Sequence, residues 1–204
     1  MEVRRALADL AEVRGRIVTV QRFDGYSGNA AIASGAVACA VGFAQMALCP
    51  FPSTLLDKQR YLAIWLTCLG VALVINYGAI LVWRTRNHNA LADVQMRNVG
   101  MSIFPAVAAG GVITAALVMR GLYDLLPGMW CAIYALGLFA SRSQVPREVV
   151  YVAIAFGAAA CVLLFLHGAA PLAWWIMPLA FGGGQITIGS LVLSEAGREQ
   201  KGFR

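Results

Sequence analysis

The sequence predicts an all-α polytopic membrane protein with six transmembrane helices, and three observations carry that reading. First, five stretches contain no Asp, Glu, Lys or Arg: 25–56, 61–83, 98–119, 125–141 and 149–194. One crossing takes roughly 20 apolar residues, so the last stretch holds two spans. Second, hydrophobic residues make up 60% of the chain and charged residues 13%, against about 25% charged in a soluble domain. Third, the basic residues fall unevenly among the segments between these stretches, as membrane orientation requires.

The spans read, in order, as 29–49, 61–83, 101–119, 126–141, 149–166 and 173–194. Ahead of them, residues 2–22 read as an amphipathic helix. Val3, Ala6, Leu10, Val13, Ile17 and Val20 recur at three- and four-residue spacing, a seam of under three heptads. Arg4, Arg5, Asp9, Glu12 and Arg16 lie off that seam. Two readings stay open. The helix lies on the inner membrane face or packs under the spans. Alternatively, it docks a second copy or another protein through Val3, Leu10, Val13 and Ile17. It is not expected to be a signal peptide, because Glu2, Asp9, Glu12 and Asp24 interrupt any apolar core. The chain then divides into a cytoplasmic helix (1–24), a six-helix transmembrane domain (25–197) and a short basic tail (198–204).

Phe23-Asp24-Gly25-Tyr26-Ser27-Gly28-Asn29 is a turn rich in Gly and Asx residues that leads into span one. Ala31, Ser34, Gly35, Ala38, Cys39 and Gly42 share one side of that span. Small residues at this spacing let helix backbones approach closely, within the chain or across a dimer seam. Pro50 and Pro52 mark the outer loop 50–60. The longest inner connection, 84–100, offers Asn87 or Asn89 as the cap of a short helix before span three. Span four is short and draws on Pro127 and Gly128 at its outer end. Trp65, Trp174 and Trp175 fall near the outer interface, and Trp83 and Tyr151 near the inner one. They read first as belt anchors and second as ligand contacts.

The net charge of +6 raises the question of nucleic acid, and its distribution answers it. With both termini cytoplasmic, the inner segments hold Arg4, Arg5, Arg14, Arg16, Arg22, Arg84, Arg86, Arg97, Arg142, Arg147, Arg198, Lys201 and Arg204, 13 in all. The outer loops hold 3: Lys58, Arg60 and Arg120. That bias sets an N-in, C-in topology, with a contribution from anionic headgroups. The expected partner is the bilayer, not nucleic acid. Of the five cysteines, Cys39, Cys68, Cys131 and Cys161 lie within spans, where Cys behaves as a small hydrophobe. No pair is spaced as CxxC, and only Cys49 sits where an oxidising compartment would reach it, so no disulfide framework is expected.

Spans three and six share a pattern. Ile103, Pro105, Gly110, Gly111, Ile113 and Thr114 align without a gap on Ile176, Pro178, Gly183, Gly184, Ile186 and Thr187. Each segment is the third span of a three-span half. Because three is odd, the halves run in opposite senses, which is the mark of an inverted 3+3 repeat. Gly, Ala and Ile are abundant here, however, and spans one and four match only at Ala31-Ile32 against Ala132-Ile133. If the repeat holds, the prolines kink their helices and the glycines permit close packing or local unwinding.

No ionisable group lies inside a span, though such groups are the usual pointers to proton and ion pathways. His167 is at the outer end of span five and His88 is in an inner loop. This argues against haem, a retinal Schiff base and a buried-carboxylate pump. Glu148 and Glu195 sit at inner boundaries and read as solvated. The remaining polar residues are neutral: Gln45, Thr67, Asn76, Thr114, Gln185, Thr187 and Ser190. They either join helices by hydrogen bonds worth about 1 kcal/mol each or line a route for a small neutral ligand. Candidate ligand or pathway residues are therefore Gln45, Asn76, Pro105, Gly110, Gly111, Thr114, Pro178, Gly183, Gly184, Gln185 and Thr187. No catalytic set, metal cluster or cofactor is expected, and Gly182-Gly183-Gly184 lies in a span, where it is no phosphate cradle.

Three stretches together carry a resemblance: Arg22-Phe23-Asp24-Gly25-Tyr26, Leu126-Pro127-Gly128-Met129-Trp130, and Trp174-Trp175-Ile176-Met177-Pro178-Leu179-Ala180-Phe181-Gly182-Gly183-Gly184-Gln185. The chain resembles a family of uncharacterised six-helix bacterial inner-membrane proteins of about this length, over nearly its whole extent. Such proteins are often encoded beside small winged-helix regulators, so the resemblance implies a regulated or sensory setting. It carries over no functional residue. The functional expectation is a non-enzymatic sensor, accessory or partner-binding subunit that takes a protein or a small hydrophobic ligand. The alternative is a small-solute or ion transporter or channel with its pathway between spans three and six.

Overall fold

A computed structural model describes residues 26–86, 90–142 and 145–202. The amphipathic segment with Val3, Leu10, Val13 and Ile17, the capping candidates Asn87 and Asn89, and His88 lie outside the described residues. The described residues are all-α, 85% helical with no strand. Its helices are α1 (Gly28–Leu48), α2 (Leu55–Arg86), α3 (Ala90–Met119), α4 (Leu126–Ala140), α5 (Val149–Phe165) and α6 (Gly183–Gly202).

Local chemistry sets several ends. The Ser27 side chain accepts from the Ala30 N–H at 3.3 Å and starts α1, as an N-cap should. Tyr123–Leu125 form a 3₁₀ turn that runs into α4, so the short fourth span gains residues ahead of Pro127. At the other end of the chain, α6 is entered through a π-helical segment, Pro178–Gly182. Pro178 has no N–H to return to the preceding turn, and the helix widens there instead of breaking.

Among the described residues, three helical stretches are long and apolar enough to cross a membrane: Gly28–Leu48, Leu55–Arg86 and Tyr123–Ala140. Phe104–Met119 and Val149–Phe165 are shorter apolar helices. At 32 residues and ~1.5 Å per residue, α2 extends roughly 48 Å, well beyond a hydrocarbon core of about 30 Å.

Packing is uneven. α1 lies along α6 and its π segment, α4 lies along α5, and α2 meets α1. One core cluster holds Cys131, Val149, Phe156, Ala160 and Ile188. A second holds Tyr61, Trp65, Leu126, Leu172 and Met177. The buried positions of α2 are Tyr61, Trp65 and Cys68, all in its first half. The described side chains of α3 include none that is buried, and α3 rests mainly on α4.

Candidate functional site

The polar residues of the helices gather into three hydrogen-bonded nodes. The first centres on Gln45, whose side chain is 0% exposed. Its amide N–H donates to the Leu172 carbonyl at 2.8 Å, and its carbonyl oxygen accepts from the Trp65 indole N–H at 2.7 Å. Gln45 thus ties α1 to α2 and to the turn Ala170–Leu172. The backbone N–H of Trp174 donates to the Pro50 carbonyl at 3.0 Å and closes the same end. Trp65 belongs to this node and is buried. It is therefore an interior residue, where the sequence suggested a belt anchor.

Thr114 and Trp130 form the second node. The Trp130 indole N–H donates to the Thr114 hydroxyl at 2.9 Å, and that hydroxyl donates to the Gly110 carbonyl at 2.7 Å. This joins α3 to α4. Gly110 sits against Ile133, while the positions around Gly111 are open.

The third node is Gln185, whose amide N–H donates to the Tyr134 hydroxyl at 2.7 Å. Tyr134, Phe156 and Phe181 surround it with ring centroids 4.7–5.3 Å apart, spacings at which edge-on aromatic pairs attract. The Gln185 carbonyl oxygen is buried and finds no partner among the described residues. Turning the amide over would give Tyr134 the oxygen and orphan the NH₂ group, so one polar end is unpaired in either orientation. The residue lies just past the π segment, a geometry that recurs at functional sites.

The other sequence candidates go elsewhere. Asn76 donates to the Ala72 carbonyl of its own helix at 2.8 Å, and Thr187 does the same with Gly183 at 2.8 Å. Pro105 sits on an exposed part of α3, which continues through it as one helix. Pro178 packs its ring against Gly42. Gly184 faces the Phe156 ring, and Gly183 faces open space. The two aligned prolines therefore occupy different surroundings, and α3 and α6 share no substantial packing.

Apart from Gly184, whose added Cβ would stand 2.5 Å from the Phe156 ring, the close-packing glycines lie outside the pathway list. A Cβ on Gly28 would stand 2.7 Å from the Gly189 carbonyl, and one on Gly35 would stand 2.8 Å from the Gly182 carbonyl. One on Gly189 would stand 2.5 Å from the Gly28 carbonyl. Gly35 and Gly42 belong to the small-residue side of span one, and their partners are the π segment Pro178–Gly182 and, for Gly35, Ile186 of α6 in the same chain. Sequence reasoning missed Tyr134, Trp130 and the partner glycines Gly182 and Gly189. The seven-residue spacing of Gly182 and Gly189, one face of a helix, was the available signal.

All five cysteines are free. Tyr26, just before α1, packs against the cluster around Phe156 and Ile188, and burial pushes its phenol up to about 12. Among the described residues, no group of three His, Cys, Asp or Glu side chains is placed to hold a metal ion.

Comparison with known proteins adds no relative: no family model, no curated protein and no solved structure matches the chain.

Proposed function

We propose that this chain is a non-enzymatic, multi-pass protein of the bacterial inner membrane that acts as a sensor or accessory subunit and engages a protein partner or a small hydrophobic ligand within the bilayer. All six helices cross in this reading, the shorter ones completed by flanking turns, and both termini are cytoplasmic. The basic bias supports that orientation. The proposal draws on no repeat relation between α3 and α6.

One observation carries the functional part. Beyond Cys68, α2 has no buried position, and α3 adds none among its described side chains. Val74 and Phe104 are each 72% exposed. The other four helices are joined by close glycine contacts and by the Gln185–Tyr134 hydrogen bond. Two helices left laterally open beside a tightly built unit are what a partner-binding subunit presents, and Gln45 and Thr114, two of the pathway candidates, are taken up by bonds between elements.

The test is photocrosslinking in native membranes from probes at Val74 and Phe104, against probes at Val162 and Phe165 on α5. Protein or non-lipid adducts are expected from the first pair and lipid adducts alone from the second. Lipid adducts alone from all four positions would overturn the reading. Deletion of residues 1–22 should remove the partner adducts and leave insertion intact. Reporter fusions at both termini should report the cytoplasm.

A further inference from the structure

The corner between α4 and α5 carries two cations with no carboxylate assigned to them. Arg142 follows the end of α4, and Arg147 lies in the turn that starts α5, where the Val149 and Val150 N–H groups donate to the Pro146 and Arg147 carbonyls at 3.1 and 3.2 Å. Both side chains are exposed. Neither forms an ion pair among the described residues. Together with Glu148, Val150 and Tyr151 they line an open cavity of about 630 Å³. Glu148 is itself offset by Arg198 at 3.9 Å. Three guanidinium groups and one carboxylate leave a surplus of two positive charges at this corner.

We propose that this cavity is a binding site for the phosphate headgroup of an anionic phospholipid. Two further observations favour a lipid over a free anion. The corner lies where the charge-free stretches 125–141 and 149–194 end, so it falls at headgroup depth when those stretches are in hydrocarbon. From it runs an exposed apolar track along one face of α5: Tyr151 at 73%, Ile154 at 54%, Val162 at 61% and Phe165 at 81%. Their three- and four-residue spacing, with Ala158 between, keeps them on one side of the helix. A phosphate held by the guanidinium pair would lay its acyl chains down this track, with the Tyr151 ring at the boundary. Basic pockets between helices on the cytoplasmic side are suited to anionic headgroups. An inorganic phosphate would use only the arginines.

The experiment offers the full chain, purified in a non-ionic detergent, equal amounts of phosphatidylglycerol and phosphatidylcholine, and counts bound lipid by native mass spectrometry. Wild type should retain phosphatidylglycerol preferentially. R142Q/R147Q should lower that retention roughly thirtyfold, as the loss of two interfacial charges implies. R142K/R147K should stay within about threefold of wild type, since Lys keeps the charge and loses only the fork geometry. R120Q, at the opposite end of the helices, should change nothing. If the double variant loses its helical circular dichroism, the single variants R142Q and R147Q carry the test, each lowering retention about fivefold. Equal retention of the two lipids would overturn the proposal, as would unchanged binding in the Gln variants or an equal loss in R120Q. Displacement of phosphatidylglycerol by millimolar inorganic phosphate would reassign the site to a free anion and overturn the lipid reading.

Discussion

The α1–α6 pair and the α2–α3 pair use glycine in opposite ways within one hydrophobic chain. Between α1 and α6, an added Cβ at Gly28, Gly35, Gly182 or Gly189 would meet the facing helix within 2.5–2.8 Å. On α2 and α3, a Cβ at Gly70, Gly78, Gly100 or Gly111 would meet nothing within 4 Å. Lipid tails are as apolar as Leu, so apolar surface alone does not drive spans together. Association depends on close approach and on hydrogen bonds; close approach is concentrated on the α1–α6 side, while side-chain hydrogen bonds also tie α2 to α1 and α3 to α4. Apolar composition therefore does not say which helices pack.

The largest effect should come from breaking the close approach. Gly189→Ala puts a methyl group against the Gly28 carbonyl and the Ile32 amide, which are backbone atoms that cannot move aside locally. Overpacking of this kind costs about 1–3 kcal/mol, with backbone clashes at the upper end. Gly78→Ala on α2 should be neutral or stabilise by up to about 1 kcal/mol through helix propensity. Reversible unfolding in mixed detergent micelles measures both. Equal effects would erase the contrast between the two pairs.

The second effect tests the polar ties. Gln45→Leu strands the Trp65 indole N–H and the Leu172 carbonyl in a buried site. Leaving buried groups unpaired costs about 1–3 kcal/mol each, so a loss of roughly 2–3 kcal/mol is expected. Asn76→Leu removes only a bond to its own helix and should cost under about 0.5 kcal/mol. A large cost at Asn76 would mean that α2 is packed after all, against something outside this chain.

These contrasts show what the sequence made legible. The charge-free stretches located α1, α4 and α5 to within a residue or two, because Arg142, Glu148 and Asp124 cannot enter hydrocarbon cheaply. The same rule undersized α2 and α3, since a helix continues past a charge-free stretch wherever charged residues suit a helix. Gln45 was visible as a buried amide, yet its partners Trp65 and Leu172 are 20 and 127 residues away. No local pattern encodes such a pairing. The alignment of Pro105 with Pro178 drew attention to Gly110, Gly111, Gly183 and Gly184. Of these, only Gly184 comes under 3.0 Å of a neighbour, the Phe156 ring. Helix-to-helix contact is a property of two faces at once, and a motif on one helix reports half of it.

Gln185 gives a smaller and sharper contrast, this time inside the packed region. Its one bond to Tyr134 is offset by an orphaned amide end, so Gln185→Leu should be nearly neutral, within about 1 kcal/mol and of either sign. Tyr134→Phe leaves the whole amide unpaired and should be the costlier of the two, by about 1 kcal/mol. If Gln185→Leu proved as damaging as Gln45→Leu, the amide would have a second partner that the protein side chains do not supply.

The smallest effect concerns Tyr26, at the foot of α1 on the packed side. Burial raises its phenol from the ordinary value of 10.0 to about 12. The folded chain holds the neutral form while an unfolded phenol ionises near 10. The resulting stability is fully present below pH 10 and is lost as the pH climbs from about 10 to 12, because the unfolded state gives up its proton first. The half-buried position limits the loss to roughly 1 kcal/mol. Unfolding measured at pH 9 and pH 11 should show wild type losing more stability than Tyr26→Phe, which has no proton to release. Equal losses in the two proteins would place Tyr26 in contact with water rather than against the cluster around Phe156, and would move the edge of the packed region into α1 itself.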